Sequence, residues 1–361
     1  MHRSAPLALI ALSALTLAGC AATPAASEGK IQVVASTSVY GSIVEQIGGE
    51  HVDVTSLISS AAQDPHEYEP SSKDKLLINR ADLVVSNGGG YDGFIAGLIT
   101  SDDLPVIEAV DFAPDYPGND EHDDVVDDEH DDVVVDEHAH DDETAAEHAE
   151  HEHDDATEEA DTDDAAEETE VADGHDDHAG HNHIAGFNEH VWYDPAVIAG
   201  LATDVAEHLG ELDPENAATY AQNAEALHAE LDTLTDDIAA VAATQPHTHI
   251  LVTEPVALRL TDLMGLHNST PSAFLEAVEE GQDVAPATLL ETLKVLEDDG
   301  IAAVIANTQT GGNETERIID EAEAANIPVL EFAEVLPDGL TYVEWMAGNI
   351  DTLADALGAA S

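Results

Sequence analysis

The sequence has very few basic residues, with 8 Lys and Arg among 361 residues against 78 Asp and Glu, so the formal net charge is −70. So few cationic side chains cannot neutralise nucleic-acid phosphates, which excludes a nucleic-acid-binding protein. The same scarcity excludes attachment to an anionic membrane surface through charge. The partners that this charge favours are cations.

Cysteine is even scarcer, because Cys20 is the only one. A single cysteine excludes an internal disulfide and a thiolate metal cluster. The chain up to this residue reads MHRSAPLALIALSALTLAGC. Its Arg3 and its apolar run over residues 7–17 are typical of a secretory signal that is too short to span a bilayer. The letters LAGC resemble a bacterial lipobox, which implies cleavage before Cys20 and lipidation of its thiol; a plain signal peptide is the alternative.

Long hydrophobic runs are missing from the rest of the chain, where no stretch approaches the roughly 18 apolar residues of a membrane span. We therefore predict a lipoprotein signal peptide over residues 1–20 and a flexible tether over residues 21–30. The mature protein is expected to be exported and monomeric. Its lipid would anchor it to the outer face of the bacterial cytoplasmic membrane.

Aromatic residues make up only 4% of the chain, while hydrophobic residues make up 43%, so the predicted core consists mostly of Ala, Val, Leu and Ile. The length predicts about two domains. Short apolar runs such as residues 31–35 and 249–253 alternate with segments of helical spacing. This alternation predicts the α/β class with parallel sheets.

Residues 195–244 are rich in Ala, Leu, Glu and Asp with helical spacing, which Pro214 interrupts once. We predict that this segment is a long helix linking two α/β lobes. The lobes would comprise residues 31–194 and 245–361.

An acidic tract over residues 119–183 has a different composition from the rest of the chain, with 30 acidic residues, 11 histidines and no Lys or Arg. It lacks a periodic apolar face, which predicts disorder in the absence of metal. Its imidazoles offer weak sites for borderline cations, and its carboxylates raise the local cation concentration. A solubilising spacer is the other interpretation. The candidate auxiliary ligands are His122, His130, His138, His140, His148, His151, His153, His175, His178, His181 and His183.

Two short motifs on either side of this tract carry the candidate chemistry. DPHEYEP (64–70) follows a predicted strand and precedes a helix, and EHVWYDP (189–195) stands just before the linking segment. Open α/β sheets bind ligands beyond the carboxyl ends of their strands, so His66 and His190 are candidate metal ligands. A solvated loop histidine is the alternative for either residue alone.

Taken together, these motifs closely resemble the cluster-type solute-binding proteins of zinc and manganese ABC importers. The segments STSVYGSIVEQIGGEHVDVTSLI (36–58) and ADLVVSNGGGYDGF (81–94) are similar to the first lobe of that family. The resemblance implies two lobes joined by a rigid helix, with one metal ion in the cleft and two ligands from each lobe.

The resemblance also implies the other two ligands. Glu254 stands after the first strand of the second lobe, where zinc-type members usually have histidine and manganese-type members have glutamate. Glu334 stands after a late strand and before the terminal helix. The residues alone leave an alternative for each glutamate. Glu254 could cap the helix that begins at Pro255. Glu334 could be an exposed turn residue, and Glu331 is the neighbour most easily mistaken for it.

The identity of the cation stays open between two metals. Zn²⁺ accepts two imidazoles and two carboxylates in tetrahedral geometry, and Mn²⁺ accepts them if coordination expands. Glu254 weakens the zinc assignment, whereas a histidine-rich insert is typical of zinc-type relatives. We predict a Zn²⁺-binding protein that delivers its ion to an ABC permease with its ATPase. Mn²⁺ or Fe²⁺ is the alternative cargo, and a metal-storage or adhesin lipoprotein is the second alternative.

An enzyme is not favoured, because nothing resembles HExxH or GxSxG. Trp192, Tyr193 and Asp194 are predicted to support His190 from behind. Tyr68 and Trp345 are predicted to be packing residues. Two further polar residues, Asn307 and Gln309, either line the cleft or satisfy backbone groups in a turn, and the sequence favours the turn.

Overall fold

The computed structural model describes residues 29–63, 65–66, 68–121, 184, 186–297, 300–307 and 309–358. The signal peptide with Cys20, most of the tether and all eleven tract histidines lie outside these residues, so their predicted roles stay predictions. Within the described ranges, no helix combines the length and the apolar character needed to cross a membrane.

The first lobe is built on a four-stranded parallel sheet with strand order β2-β1-β3-β4. Its strands are short apolar runs, as expected for a sheet that is covered on both faces. They are β1 (Ile31–Thr37), β2 (Val52–Ile58), β3 (Leu83–Ser86) and β4 (Val106–Glu108). The helices of this lobe are α1 (Ser38–Gly48), α2 (Ser72–Ile78) and α3 (Phe94–Leu98).

The linking segment consists of two helices, α4 (Pro195–Leu212) and α5 (Ala217–Thr244), where a single long helix is predicted. Pro214 explains the difference, because it lacks an N–H and keeps the preceding residue out of the helical region. Asp213 accordingly has φ −136° and ψ 78°. The longer helix α5 packs against α1 of the first lobe and α10 (Tyr342–Leu357) of the second, and so contacts both lobes.

The second lobe repeats the first arrangement, with a parallel sheet in the order β6-β5-β7-β8. Its strands are β5 (His249–Val252), β6 (His267–Asn268), β7 (Ile301–Asn307) and β8 (Val329–Phe332). Its remaining helices are α6 (Leu258–Leu263), α7 (Ser272–Glu279), α8 (Pro286–Glu297) and α9 (Asn313–Ala324). The predicted class, two α/β lobes with parallel sheets, is confirmed.

One large buried cluster runs from β1 through α4 and α5 to β7 and α10, so the two lobes share a core. Although aromatic residues are few, they supply its largest buried side chains. Trp192, Tyr193 and Tyr342 are fully buried in this shared core. The Tyr342 hydroxyl donates a hydrogen bond to the carbonyl of Trp192 at 2.7 Å, which ties α10 to the chain just before α4.

Candidate metal centre

The carboxyl ends of the strands carry the candidate ligands, as expected for open parallel sheets. His66 lies in the connection after β2, and His190 lies just before α4. In the second lobe, Glu254 follows β5 and Glu334 follows β8, each after one intervening residue. Since the two lobes meet at these edges, residues far apart in sequence converge at one site.

Three of the four predicted ligands come together closely. His66, His190 and Glu334 each offer one ligand atom, and these atoms all lie within 4.8 Å of one another. Oε2 of Glu334 lies 3.3 Å from Nε2 of His66 and 3.9 Å from Nε2 of His190. The side chains of His190 and Glu334 are buried, and that of His66 is 9% exposed. Two ring nitrogens and a carboxylate oxygen therefore face one small volume.

Glu334 carries a stable negative charge in this volume. Burial by itself would raise the pKa of its carboxyl group. The hydrogen bond and the charge of His66, the charge of His190 and a hydrogen bond from Asn307 outweigh that effect and hold its pKa at about 2. A carboxylate that stays ionised at neutral pH is ready to bind a cation.

Glu254 lies outside the three-residue cluster and is connected to it by Asn307. The side-chain nitrogen of Asn307 lies 2.6 Å from Oε2 of Glu254 and 2.6 Å from Oε1 of Glu334. The same nitrogen lies 2.8 Å from Oγ1 of Thr310. An amide nitrogen has two hydrogens for these three oxygens, so at least one hydrogen is shared. Asn307 therefore lines the site, and its Oδ1 also accepts the backbone N–H of Gln309 at 3.1 Å, so it fills both roles that the sequence left open.

The second oxygen of Glu254, Oε1, is buried and has no hydrogen-bond partner among the described residues. Burial raises the pKa of this carboxyl group to about 7. The charge of Glu334 also raises it, while Thr310, Asn307 and the charge of His66 lower it. An unpartnered buried oxygen is costly unless something binds it, and a cation in the site would do so.

Asn188 fixes the orientation of His190. Its Oδ1 accepts hydrogen bonds from the backbone N–H of His190 at 3.0 Å and from Nδ1 of the imidazole at 2.8 Å. Because Nδ1 is used in this way, Nε2 is the nitrogen available to a metal. The Asn188 amide also donates to the carbonyl of Pro255, 3.0 Å away, next to Glu254. The sequence pattern around His190 begins at Asn188 but indicates no role for it.

The three residues predicted to support His190 have different roles. Asp194 caps α4. Pro195, at the first helical position, has no N–H, and the carboxylate of Asp194 accepts a hydrogen bond from the N–H of the next residue, Ala196. Trp192 packs edge-on against the His190 ring, at a centroid distance of 5.2 Å. The Tyr193 hydroxyl donates to the carbonyl of Ala333 at 2.7 Å. Trp192 thus contacts the imidazole ring, while the acceptor for its Nδ1–H is Asn188.

Tyr91 is a second residue that sequence analysis missed. Its hydroxyl donates a 2.9 Å hydrogen bond to Oε2 of Glu334, the oxygen that faces both histidines. The preceding loop Gly88–Gly90 has positive φ at all three residues. A side chain at Gly88 would meet Val110 at 2.7 Å, so this turn needs glycine. The NGGGYD letters after β3 were the signal that a constrained loop presents Tyr91 to the site.

Arg259 of α6 holds the chain next to His190 from behind. Its guanidinium makes paired hydrogen bonds to Asp115 at 3.1 and 3.2 Å and donates to the carbonyl of Asn188 at 2.8 Å. It also lies over the ring of Phe187, 5.0 Å from the centroid. Phe187 in turn contacts the ring of Tyr116 at 5.3 Å. Asp115 and Phe187 stand on opposite sides of the acidic tract, so these contacts hold the two flanks together.

A cavity of about 800 Å³ opens beside the ligands and is lined by both lobes, including Gln63, His66, Glu254 and Gln309. Gln309 spans it, with its Nε2 donating to the carbonyl of Gln63 at 2.9 Å. Its Oε1 accepts from the backbone N–H of Glu334 at 2.6 Å. Of the four candidate ligands, His66 and Glu254 line this cavity.

The remaining sequence candidates behave as packing or surface residues. Tyr68 packs against the outer core of the first lobe and donates to Asp74, and Trp345 is buried against Tyr193. Glu331 is exposed on β8, which separates it from the site. In the DPHEYEP motif, Asp64 and Glu67 lie outside the described residues.

Comparison with known proteins identifies the family of this chain. The model of the family described as zinc-uptake complex component A, periplasmic, matches residues 33–356. The chain belongs to this family. A curated relative, the manganese ABC transporter substrate-binding lipoprotein PsaA of Streptococcus mitis, is 38% identical over 90 residues. That alignment covers 24% of this chain and 29% of the relative, so the matched part spans less than a third of the relative's length.

Solved structures show the same fold over most of the chain. The substrate-binding protein FpvC of Pseudomonas aeruginosa in complex with Mn²⁺ superposes with a TM-score of 0.61 at 21% identity, covering 91% of this chain and 98% of FpvC. The periplasmic zinc-binding protein TroA of Treponema pallidum gives a TM-score of 0.61 at 17% identity, covering 91% of this chain and 99% of TroA. At these identities, the likeness concerns the fold.

Proposed function

We propose that this chain is the extracytoplasmic metal-binding component of an ABC importer and that it delivers Zn²⁺ to the permease and its ATPase. His66, His190, Glu254 and Glu334 would bind the ion. A lipid on Cys20 would hold the protein, as a monomer, at the outer face of the bacterial cytoplasmic membrane.

The observation that carries this proposal is the convergence of three ligand atoms, from His66, His190 and Glu334, within 4.8 Å. Their side chains are almost completely buried, and burying such groups together is costly without a cation between them. The unpartnered Oε1 of Glu254 supplies a fourth donor nearby. The family match supports a role in metal uptake, and the name of PsaA supports an ABC transporter.

Asn307 supports zinc as the cargo, because it engages one oxygen of each carboxylate. It leaves Oε1 of Glu254 and Oε2 of Glu334 for the ion. With one nitrogen from each histidine, the site then offers four donor atoms. Four mixed N and O ligands suit tetrahedral Zn²⁺, whereas Mn²⁺ favours more oxygen ligands and a higher coordination number.

Mn²⁺ is the alternative cargo. It is favoured by the two carboxylates in the donor set and by the manganese proteins among the relatives and fold neighbours. If the carboxylates turned to bind through both oxygens, the coordination would expand toward the number that Mn²⁺ prefers.

We further propose that the tract over residues 119–183 captures zinc and passes it to the ligands in the cleft. This proposal rests on its composition of 11 histidines and 30 acidic residues. Deleting the tract is expected to slow uptake at low zinc while the tight site stays intact. Loss of one-to-one binding in the deletion variant would contradict this division of roles.

The decisive experiment is a competitive titration of the lipid-free mature chain with Zn²⁺ and Mn²⁺ against chelators of known affinity. One tight zinc site is expected, and it should disappear in His66→Ala. His51→Ala is the matched control. His51 lies in the same lobe as His66, and its ring contacts Tyr220 of α5, away from the ligands. Tight Mn²⁺ binding at the His66 site, with weaker zinc binding there, would replace zinc by manganese as the cargo. Unchanged binding in His66→Ala would contradict the site itself.

A further inference from the structure

Residues 333–336 belong to the second lobe by sequence, yet each of the four contacts the chain before α5. The carbonyl of Ala333 accepts a hydrogen bond from the Tyr193 hydroxyl at 2.7 Å. The carboxylate of Glu334 accepts one from Tyr91 and lies beside His66. The backbone N–H of Leu336 donates to Oγ of Ser38, the first residue of α1, at 2.9 Å. We call this four-residue segment the strap.

Val335 is the apolar anchor of the strap. It is 1% exposed and belongs to a buried cluster whose other described members all lie between residues 34 and 104 of the first lobe. This cluster contains aliphatic side chains from β1, β2, β3, α2 and α3. Burying a valine side chain in this way stabilises the docked strap through the hydrophobic effect.

The second lobe also binds the strap, through the side chain of Gln309. Its Oε1 accepts hydrogen bonds from the N–H groups of Glu334 and Val335 at 2.6 and 3.1 Å. The other end of the same side chain donates to the carbonyl of Gln63 in the first lobe. The residue that holds the strap from the second lobe is therefore itself bound to the loop that leads to His66.

Glu254 differs from Glu334 in this respect. It follows β5, and Asn307 at the end of β7 donates a hydrogen bond to it, as the same side chain also does to Glu334. Glu254 and Asn307 both stand at the carboxyl ends of strands of the second sheet. Glu334 is therefore held from both lobes, by Tyr91 on the first and by Gln309 and Asn307 on the second, whereas the hydrogen bond to Glu254 comes from the second.

We propose, on the basis of the proposed function, that Val335 and Ser38 position Glu334 on the first lobe, so that His66, His190 and Glu334 form one preassembled ligand set to which the second lobe adds Glu254. Neither positioning residue contacts the ion in this arrangement. They affect zinc binding only by fixing the position of the Glu334 carboxylate.

A pair of serine variants tests this positioning with small changes. Ser38 and Ser42 both lie on α1, and the hydroxyl of each accepts a backbone N–H of the second lobe, from Leu336 and Tyr342 respectively. Ser38→Ala removes a bond to the strap, while Ser42→Ala removes an equivalent bond elsewhere. We expect Ser38→Ala to weaken zinc binding about threefold, as loss of one hydrogen bond would, and Ser42→Ala to leave it unchanged.

Variants at the anchor give a larger effect. Val335→Ala is expected to weaken zinc binding of the full mature chain about tenfold, the scale of changes that misplace a ligand. Val335→Ile keeps an apolar side chain at this position, so this variant should bind zinc about as tightly as the wild type. Val205→Ala is the matched control, because Val205 is fully buried in α4 and its loss lowers stability without moving Glu334. Binding is compared at a temperature where thermal melts show all variants folded.

A readout on the metal-free protein separates this inference from the proposed function. The imidazole ¹⁵N shifts of His66 report the carboxylate 3.3 Å away. They should move in Val335→Ala and stay in place in Val205→Ala. Unchanged His66 shifts with wild-type affinity in Val335→Ala would overturn the positioning role. Equal weakening by Ser38→Ala and Ser42→Ala would overturn it too. Absence of a tight site in the wild-type chain, with the His66 shifts moving as expected, would instead count against the proposed function.

Discussion

Glu254 and Glu334 share a single hydrogen-bond donor, the side-chain nitrogen of Asn307, which lies 2.6 Å from an oxygen of each. The two carboxyl groups are nevertheless in opposite electrostatic states. The pKa of Glu334 is held at about 2 by the neighbouring histidines, while burial raises that of Glu254 to about 7. In the metal-free protein, one group is ionised and the other titrates near neutral pH.

Glu254→Gln should stabilise the metal-free protein at alkaline pH. A carboxyl group whose pKa rises from about 4.3 unfolded to about 7 folded favours the folded state only when protonated, so its contribution is lost as pH rises through that interval. At pH 8, the substitution should raise the free energy of unfolding by up to about 3 kcal/mol, with little effect near pH 4. Thermal melts of chelator-treated protein at both pH values measure this.

The control for that experiment is Glu331→Gln, an exposed glutamate on β8 of the same lobe. It removes the same charge without removing a buried group, so its melting temperature should differ little from that of the wild type at either pH. A pH-independent gain in Glu254→Gln would show that the buried carboxyl group is not the source of the instability. The same variant should bind zinc more weakly, since it loses an anionic oxygen.

Asn307→Ala should reduce the preference for zinc over manganese. Without the amide, each carboxylate loses one hydrogen bond, so Oε2 of Glu254 and Oε1 of Glu334 become more accessible to an ion, which favours higher coordination numbers. We expect the ratio of the Zn²⁺ and Mn²⁺ affinities to fall at least about tenfold, measured by competition with a chelator. Asn313→Ala, at the exposed start of α9, is the control. An unchanged ratio would mean that the amide does not set how the carboxylates bind.

Asn188→Ala should weaken metal binding by about 10- to 100-fold, because His190 loses the acceptor that orients its ring. Asn188→Asp retains an oxygen acceptor for the imidazole, removes the donor to the carbonyl of Pro255 and adds a negative charge beside His190. Its affinity should therefore stay much closer to that of the wild type. Isothermal titration gives the affinities, and the ¹⁵N shifts of His190 report its tautomer. Equal losses in the two variants would assign the effect to the Pro255 contact instead.

The secondary structure was largely readable from the sequence, because parallel strands buried on both faces appear as short apolar runs. The apolar runs over residues 31–35 and 249–253 were predicted as strands and agree closely with β1 and β5. The two-residue strand β6 and helix α7 were missed. The first is too short to show a period, and the second buries only Phe274 among its eight residues.

The site was only partly predictable. His66 and His190 stand in motifs that are visible in the sequence, and the structure brings them together with Glu334. The polar residues that orient the ligands were not visible in the same way. Asn307 contacts Glu254 across 53 positions of sequence, and Tyr91 contacts Glu334 across 243. The first pairing depends on how β5 and β7 lie beside each other in the second sheet, and the second pairing depends on how the two lobes meet; local sequence patterns encode neither.

The residues on the two sides of the acidic tract contact each other. The rings of Tyr116 and Phe187 pack together, and Arg259 binds both Asp115 and the carbonyl of Asn188. The chain geometry at His190 is therefore set by these flanks, whatever number of residues runs between them. An exchange of histidines within the tract changes none of these partners, so the composition of the tract and the position of the His190 ring are separate properties of the sequence.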